Sequence, residues 1–215
     1  MNTDYPKSFV AIDFETIGPK RLYVCQVGMA KYIDGKRVGT FDHLICPPPG
    51  ATSSYYHVHD ITYDTVRDAP TFAQLLPHME AFVGDLPLVA HNGRNVEASC
   101  FRQNIEHYGL STSIRYEQII DTLPLARLVF PGKRNGLTAI CRRYHIDDGN
   151  HHDAVADAVM CGEVYLRLAA DLSHRQDTRF LEDDDNPPLI DKIVGCTLLI
   201  SLVAFLFWLL GRLLQ

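Results

Sequence analysis

The sequence predicts an α/β protein with a mixed β-sheet flanked by helices, followed by one C-terminal transmembrane helix. Three observations support this prediction. Apolar runs typical of buried strands come first, strands then alternate with segments of helical periodicity, and the last long stretch is apolar on every face. A length of 215 residues is enough for one globular domain with its own core and short appendages.

The first part of the chain is predicted to form three strands. The apolar run "SFVAIDFET" fits a buried central strand. The segments "LYVCQVGMAKYI" and "VGTFDHLI" flank the turn signal "DGK" and predict a hairpin. The segment "CPPPGATSSYYHVHD" that follows is predicted to be an irregular loop.

The second part alternates between helices and strands. Helical periodicity in "TFAQLLPHMEAFV" is followed by the short apolar strand "LPLVAH". The segment "NVEASCFRQNIEHYG" is a predicted helix that ends at Gly109, and "EQIID" is a further strand. The remaining predicted helices cover residues 122–130, 137–144 and 153–172.

The C-terminal stretch predicts a membrane span. Residues 193–211 contain no charged residue, and as a helix they would extend about 28 Å, close to the thickness of a bilayer core. Lys192 and Arg212 flank the run, and Trp208 lies where an interfacial aromatic residue is expected. The alternative is a buried or oligomerising helix. A helix that packs on the surface of a globular protein is usually apolar along one stripe only, whereas this run is apolar on every face.

This organisation predicts a tail-anchored protein with its folded domain on the cytoplasmic side. The predicted parts are a folded domain at 1–173, a polar and acidic linker at 174–190 and the anchor at 191–215. The six cysteines are scattered without a CxxC pair, which favours a reducing compartment. A net charge of −6 argues against gripping nucleic acid by bulk electrostatics, but allows binding of a strand end through metal ions.

Two carboxylates lie together at the end of the first predicted strand. Asp13 and Glu15 are two residues apart, a spacing that points both side chains to one face of a strand. Such close like charges repel each other unless a cation lies between them. The pair is therefore either part of a cation site or two exposed charges at a strand end.

The stretch "HHDAVADA", residues 151–158, combines imidazole and acidic groups with small side chains. Alanines around Asp157 allow the predicted helix to approach another element closely, and a carboxylate buried there needs a partner such as a metal ion. Asp153 is predicted to cap this helix, which would place His152 on the loop before it, above Asp157. The packed stripe of the helix is predicted at Val155, Val159 and Leu166.

The ordered motifs of the chain resemble those of the DEDDh exonucleases, the DnaQ-like and RNase T family. The matching segments are "FVAIDFETIG", "HVHDITYDTVRDAPTF", "PLVAHNG", "IIDTLPLARLVFPG" and "HHDAVADA", in family order over residues 8–172. In the second segment, Asp60 stands where a glycine is usual. The resemblance implies an RNase H-like fold and 3′-to-5′ hydrolysis of DNA or RNA to nucleoside monophosphates.

The resemblance also assigns candidate catalytic residues. Asp13 and Glu15 correspond to the first acidic pair, Asp157 to the last aspartate and His152 to the general base. Most members have a further aspartate five residues after the histidine of the third motif. Here that position is Val96, but animal repair-type members use a spacing one residue longer, which selects Glu97.

Substrate-binding roles are implied for four further residues: Phe14, Thr16, His91 and Asn92. For the last two, a purely structural role in the loop before Glu97 is an open alternative.

The resemblance implies catalysis with two divalent metal ions. Such a pair holds the scissile phosphate, activates a water molecule and stabilises the leaving oxygen. Asp13 and Asp157 are expected to hold the ion that carries the attacking water, and Glu15 and Glu97 to complete the site. Oxygen ligands favour Mg²⁺, with Mn²⁺ as a substitute. His152 would accept the proton of the water.

Two other functions remain open on the sequence. Glu97 in place of aspartate would fit a catalytically weak protein that only binds nucleic acid, and a phosphodiesterase of short oligonucleotides would have the same motifs. The expected partners are a nucleic acid with a 3′ end, a membrane and, as an open possibility, a second copy of the chain. The residues do not distinguish DNA from RNA.

Overall fold

A computed structural model describes residues 5–18, 23–49, 55–147 and 153–184. Residues 193–211, the predicted membrane span, and His152, the predicted general base, lie outside these ranges. In the part of the chain that is described, none of the helices has the length and apolar character needed to cross a bilayer.

A five-stranded mixed sheet forms the centre of the fold, as the sequence predicts. Its strands are β1 (Phe9–Thr16), β2 (Val24–Ile33), β3 (Lys36–Leu44), β4 (Leu88–Ala90) and β5 (Ile120–Asp121), in the order β3-β2-β1-β4-β5. Strand β2 runs antiparallel to both of its neighbours, β1 and β3, whereas β4 runs parallel to both β1 and β5. The predicted hairpin turns at Asp34 and Gly35, which both have positive φ angles, as a type I′ turn requires.

Seven helices are described: α1 (Tyr56–His59), α2 (Tyr63–Val66), α3 (Phe72–Val83), α4 (Glu97–Tyr108), α5 (Thr122–Val129), α6 (Leu137–Tyr144) and α7 (Ala154–Asp184), with a short 3₁₀ turn at Tyr116–Gln118. Helix α3 begins at a capping box of Thr71 and Gln74. Helix α4 ends at Gly109 in the left-handed conformation, as its sequence predicts.

Three helical segments differ from the sequence predictions. The 3₁₀ turn Tyr116–Gln118 occupies the beginning of the segment "EQIID", which was predicted as a strand. The segment predicted as an irregular loop contains the single turn α1, and α7 continues through Asp184 into the predicted linker at 174–190. Charged residues such as Glu182 are good helix formers, and no glycine or proline lies between Gly162 and Pro187. Contacts along the chain define two units, residues 1–172 and 173–215.

The two faces of β1 pack against different helices. One row joins the core formed with α3 and α4; its members are Val10, Ile12 and Phe14. The opposite row joins the core formed with α7; its members are Phe9 and Ala11. Asp13 and Glu15 continue this second row, because alternate side chains of a strand face the same way. The strand therefore directs both carboxylates toward α7.

The N-terminal end of helix α7 packs on the sheet through small side chains, and two residues of the predicted stripe, Val159 and Leu166, pack against the core while only partly buried. Ala154 and Ala158 are fully buried, whereas Val155 and Val159 are only partly so. The reason is Gly28 of β2, where a Cβ atom would overlap the backbone of Ala154 and Val155. The backbone of the helix is thus in direct contact with the strand. Larger side chains on that face would prevent this contact.

Replacing Gly28 by alanine should destabilise the protein. The added methyl group can be accommodated only if α7 moves away from β2, and such overpacking typically costs about 1–3 kcal/mol. Urea unfolding of the full-length chain, followed by circular dichroism, should show a lower midpoint. Gly39→Ala on β3 is the matched control, because the nearest atom to its Cβ is Phe82 Cε2 at 3.9 Å. Equal midpoints for the two variants would contradict the packing described for Gly28.

Candidate active site

Three carboxylates from β1 and α7 converge at one end of the sheet. Each of Asp13, Glu15 and Asp157 offers an oxygen atom within 4.8 Å of those of the other two. Asp13 pairs with Gly28 in the β1–β2 register, so it lies beside the point where α7 touches the sheet. The cluster therefore depends on the close approach of that helix.

Gln26 fixes the beginning of α7 and was not predicted from the sequence. Its Oε1 atom accepts a hydrogen bond from Ala154 N at 3.4 Å, and its Nε2 atom donates to Asp42 Oδ1 of β3 at 3.0 Å. Asp153 caps the same helix end, as predicted, because its Oδ1 atom accepts from Val155 N at 3.1 Å. Since Gln26 pairs with Glu15 across the strands, it links the β1 carboxylates to the helix that carries Asp157.

Glu97 adds a fourth carboxylate from the first residue of α4. It is only 2% exposed, and its Oε2 atom is buried without a hydrogen-bond donor among the described residues. The negative charges of Glu97 and Asp13 are close enough for Glu97 to raise the pKa of Asp13. Glu97 therefore lies near the other three acidic residues selected from the sequence, but outside the group whose oxygen atoms are all within 4.8 Å of one another.

Asp121 shapes the loop that leads to Glu97, a role that the sequence did not reveal. This buried residue ends β5, and its carboxylate accepts backbone hydrogen bonds from Asn92 N at 2.9 Å, Arg94 N at 3.3 Å and Leu123 N at 2.9 Å. The last of these caps α5. An aspartate between a predicted strand and a predicted helix is the signal that could have identified it.

His91 and Asn92 participate in the same loop. His91 Nδ1 is hydrogen-bonded to Thr122 Oγ1 at 2.8 Å, and burial lowers the pKa of the imidazole. Asn92 has a left-handed backbone with φ of 63°, and its Oδ1 atom accepts from Asn95 Nδ2 at 2.8 Å. Both residues also line a cavity of about 740 Å³, together with Arg127 and Lys133.

Phe14 and Thr16 occupy different environments near the cluster. The Phe14 side chain is buried against Phe101 in an edge-on contact, with ring centroids 5.1 Å apart. Only the backbone of Phe14 is therefore available to a ligand on the carboxylate side of β1. Thr16 is the last residue of the strand and is also buried.

The carboxyl groups resist ionisation in the absence of a cation. Burial, followed by the charges of Asp157 and Asp153, raises the pKa of Glu15 to about 7. Burial is also the largest cause that raises the pKa of Glu97 to about 8. Burial and three neighbouring carboxylates raise the pKa of Asp13 well above its ordinary value. Such a set of oxygen donors fits a hard divalent cation.

Comparison with known proteins relates the chain to nucleases. The family model described as Exonuclease, RNase T, matches residues 10–165. A PolC-type DNA polymerase III of Streptococcus sanguinis is 31% identical over 188 residues, covering 86% of the chain but only 13% of the polymerase. The epsilon subunit of DNA polymerase III from Escherichia coli is 26% identical over 170 residues, covering 74% of the chain and 70% of the subunit.

Two solved structures share the fold. Exonuclease X in complex with 5′ overhanging duplex DNA is 25% identical, with a TM-score of 0.61, and the match covers 76% of the chain and 92% of that structure. The nuclease domain of 3′hExo, a DEDDh family member bound to rAMP, is 18% identical, with a TM-score of 0.68, covering 78% and 94%.

The raised pKa values predict how pH affects stability without metal. Glu15 and Glu97 have folded-state pKa values of about 7 and about 8 against an ordinary value of 4.5. The folded state therefore binds their protons more tightly than the unfolded chain does. Their contribution to stability is complete below about pH 4.5 and is lost as the pH rises through 7 and 8.

Urea unfolding in EDTA should show a free energy of unfolding that falls steadily as the pH rises across this range. Added Mg²⁺ should offset most of the fall, because it favours the ionised carboxylates. The double variant Glu15→Gln, Glu97→Gln is the control and should have a flatter pH dependence in EDTA. The prediction would be contradicted if the free energy of unfolding had the same dependence on pH in three samples: the wild type with Mg²⁺, the wild type in EDTA and the double variant in EDTA.

Proposed function

Since the chain belongs to the exonuclease family, we propose that it is a 3′-to-5′ exonuclease that hydrolyses DNA or RNA to nucleoside monophosphates. The observation that carries the proposal is the convergence of Asp13, Glu15 and Asp157 within 4.8 Å. Burial and mutual repulsion of these carboxylates favour the binding of divalent cations. Divalent cations bound in this way can also catalyse the cleavage of a phosphodiester. The chain spans only 13% of the PolC-type polymerase, so the activities of that whole enzyme do not transfer.

The four carboxylates are the proposed metal ligands. Asp13 and Asp157 would hold one divalent ion, and Glu15 and Glu97 would complete a two-ion site for Mg²⁺ or Mn²⁺. The ions would supply charge neutralisation at the scissile phosphate and a nucleophile at neutral pH. Within the chain, β1 orients two of the ligands, and the first turns of α4 and α7 orient the others.

His152 is the proposed general base. It directly precedes Asp153 in the sequence, and Asp153 caps the helix that carries Asp157. An imidazole within reach of the attacking water can remove its proton at neutral pH. The transfer would leave the proton on His152 as an imidazolium.

The terminal nucleotide is proposed to bind beside the end of β1. The backbone around Phe14 and Thr16 lies next to the carboxylates and can contact the sugar of the last nucleotide. His91 and Asn92 line the 740 Å³ cavity. The cationic side chains of the same cavity, Arg127 and Lys133, would contact the phosphates upstream of the cut.

Membrane tethering is a separate part of the proposal. It rests on the uncharged run at 193–211 with its flanking Lys192 and Arg212. The nuclease domain would remain on the cytoplasmic side, where cysteines stay reduced. The cysteines of the described residues are all free thiols, which fits such a compartment.

A catalytically weak nucleic-acid-binding protein is the second candidate, and Glu97 is the observation that favours it. Its side chain is one methylene longer than the aspartate usual at this position, and a misplaced ligand atom can cost a large part of the rate. The two candidates share the fold and the cation site but differ in turnover.

Catalysis is tested with full-length protein in mild detergent and 5′-labelled single-stranded DNA, RNA and dinucleotides. We expect a ladder that shortens from the 3′ end with Mg²⁺ or Mn²⁺ and not with EDTA. Asp13→Ala should abolish it, and His152→Ala should lower kcat by about 100- to 10,000-fold. Binding of DNA and RNA without cleavage under each metal would overturn the proposal, and cleavage of dinucleotides alone would identify a short-oligonucleotide phosphodiesterase.

The substitution Glu97→Asp separates a working site from a weakened one. If Glu97 is a competent ligand, the shorter side chain should lower activity or leave it nearly unchanged, measured as kcat/KM on the same oligonucleotides. Ala98→Gly, at the next residue of α4, is the control for effects on the helix alone. A gain of about tenfold or more in Glu97→Asp would favour the binding protein.

The membrane tether predicts that cell fractionation will recover the full-length chain in the membrane pellet, released by detergent but not by high salt. A variant with Leu198→Arg and Leu202→Asp should move to the supernatant, because charges at the centre of a bilayer cost about 2.5–3.5 kcal/mol each. Recovery of the wild-type chain as a soluble protein without detergent would refute the tether.

A further inference from the structure

His59 is a buried polar residue to which the proposed mechanism assigns no role. It ends α1, distant in sequence from the four carboxylates, and is 8% exposed. Its imidazole lies next to the ends of β1 and β2. The Nε2 atom is 3.0 Å from the Thr16 carbonyl oxygen and 4.0 Å from Cys25 Sγ. A buried imidazole with such neighbours must be paired in a defined way.

The contacts determine which nitrogen of His59 carries the proton. Ile61 N donates a hydrogen bond to Nδ1 at 3.0 Å, and a nitrogen that accepts from an N–H group has no proton of its own. The carbonyl oxygen of Thr16 can only accept, so Nε2 must donate to it. His59 is therefore neutral, with its proton on Nε2, because a second proton would occupy the site that Ile61 uses.

The end of β1 needs such an external hydrogen bond. The register between β1 and β2 shifts between Glu15 and Thr16, so the regular ladder is interrupted where the strand leaves the carboxylate cluster. The hydrogen bond from His59 fixes the peptide plane that follows Thr16, and with it the ψ angle of that residue. Burial of the imidazole protects this bond from competition with water.

The loop around His59 is built to present the ring. Asp60 has a left-handed backbone with φ of 58°, which turns the chain so that Ile61 N points back at the imidazole. Aspartate tolerates this conformation better than most residues other than glycine. The side chain of Ile61 is buried beside Ile17, which holds the loop against the residue after β1.

We propose that His59 is a positioning residue that holds the Thr16 carbonyl and thereby sets the backbone of Glu15 and Thr16 against the 3′-terminal nucleotide. The inference rests on the proposed function, because it assigns the end of β1 to nucleotide binding. His59 acts through the backbone and does not touch the reacting atoms.

Two substitutions separate the two hydrogen bonds of the ring. The amide of His59→Gln reaches as far as Nε2 and can still donate to the Thr16 carbonyl. The shorter amide of His59→Asn can replace Nδ1 as the acceptor for Ile61 N but cannot reach Thr16. His57→Asn, at an exposed position of the same short helix, is the matched control.

The first measurement is kcat/KM on single-stranded oligonucleotides, with urea midpoints for each variant. We expect His59→Asn to lose about 10- to 100-fold and His59→Gln to remain within about threefold of the wild type. If both variants lose activity equally and in proportion to their loss of stability, His59 is only structural and the proposal is overturned. Wild-type activity in His59→Asn would overturn it as well.

Two further measurements do not need turnover. The ¹⁵N shifts of the His59 ring in the wild type should report a protonated Nε2 and an unprotonated Nδ1, and the opposite tautomer or an imidazolium would refute the inference. Titration with AMP and dAMP in the presence of Mg²⁺ should show weaker binding to His59→Asn than to His59→Gln. An inactive wild type that still gives both results would contradict only the exonuclease proposal, whereas equal nucleotide affinities would contradict the role of His59.

Discussion

The contact between the backbone of α7 and Gly28 of β2 is the constraint on which the candidate site depends. Gly28 leaves no side chain between strand and helix, and Ala154 and Ala158 let the helix lie directly on the sheet. This packing brings Asp157, in the first turn of the helix, next to the carboxylate beside Gly28. Larger side chains between the two elements would hold the helix farther from the strand and would move Asp157 away from the carboxylates of β1.

This arrangement is electrostatically unfavourable, because it buries like charges close together. Four carboxylates from three elements lie in a buried region. Burial and the charges of neighbouring carboxylates raise the pKa values of Asp13, Glu15 and Glu97. A fold without a function at this point would gain stability by replacing them with apolar residues. Their retention in a packed core is understandable if divalent cations complete the site, because ions convert mutual repulsion into shared attraction.

Buried polar residues hold the carboxylate-bearing elements in place. Gln26 ties α7 to the outer strand, Asp121 ties the loop before α4 to α5, and His59 ties the end of β1 to the loop after α1. Each joins segments far apart in the chain through hydrogen bonds that water cannot easily replace. Precision in the site thus comes from residues around it as much as from its ligands.

Local periodicity and spacing in the sequence predicted the mixed sheet and the caps at Asp153 and Gly109, and the resemblance of the ordered motifs to a known family selected the four acidic residues. Local patterns could not determine that the backbone of α7 contacts Gly28 through its first turns, nor that the helix continues to Asp184. They also could not identify the roles of Gln26, Asp121 and His59. Those depend on which distant backbone groups each side chain meets, and only the tertiary structure decides that.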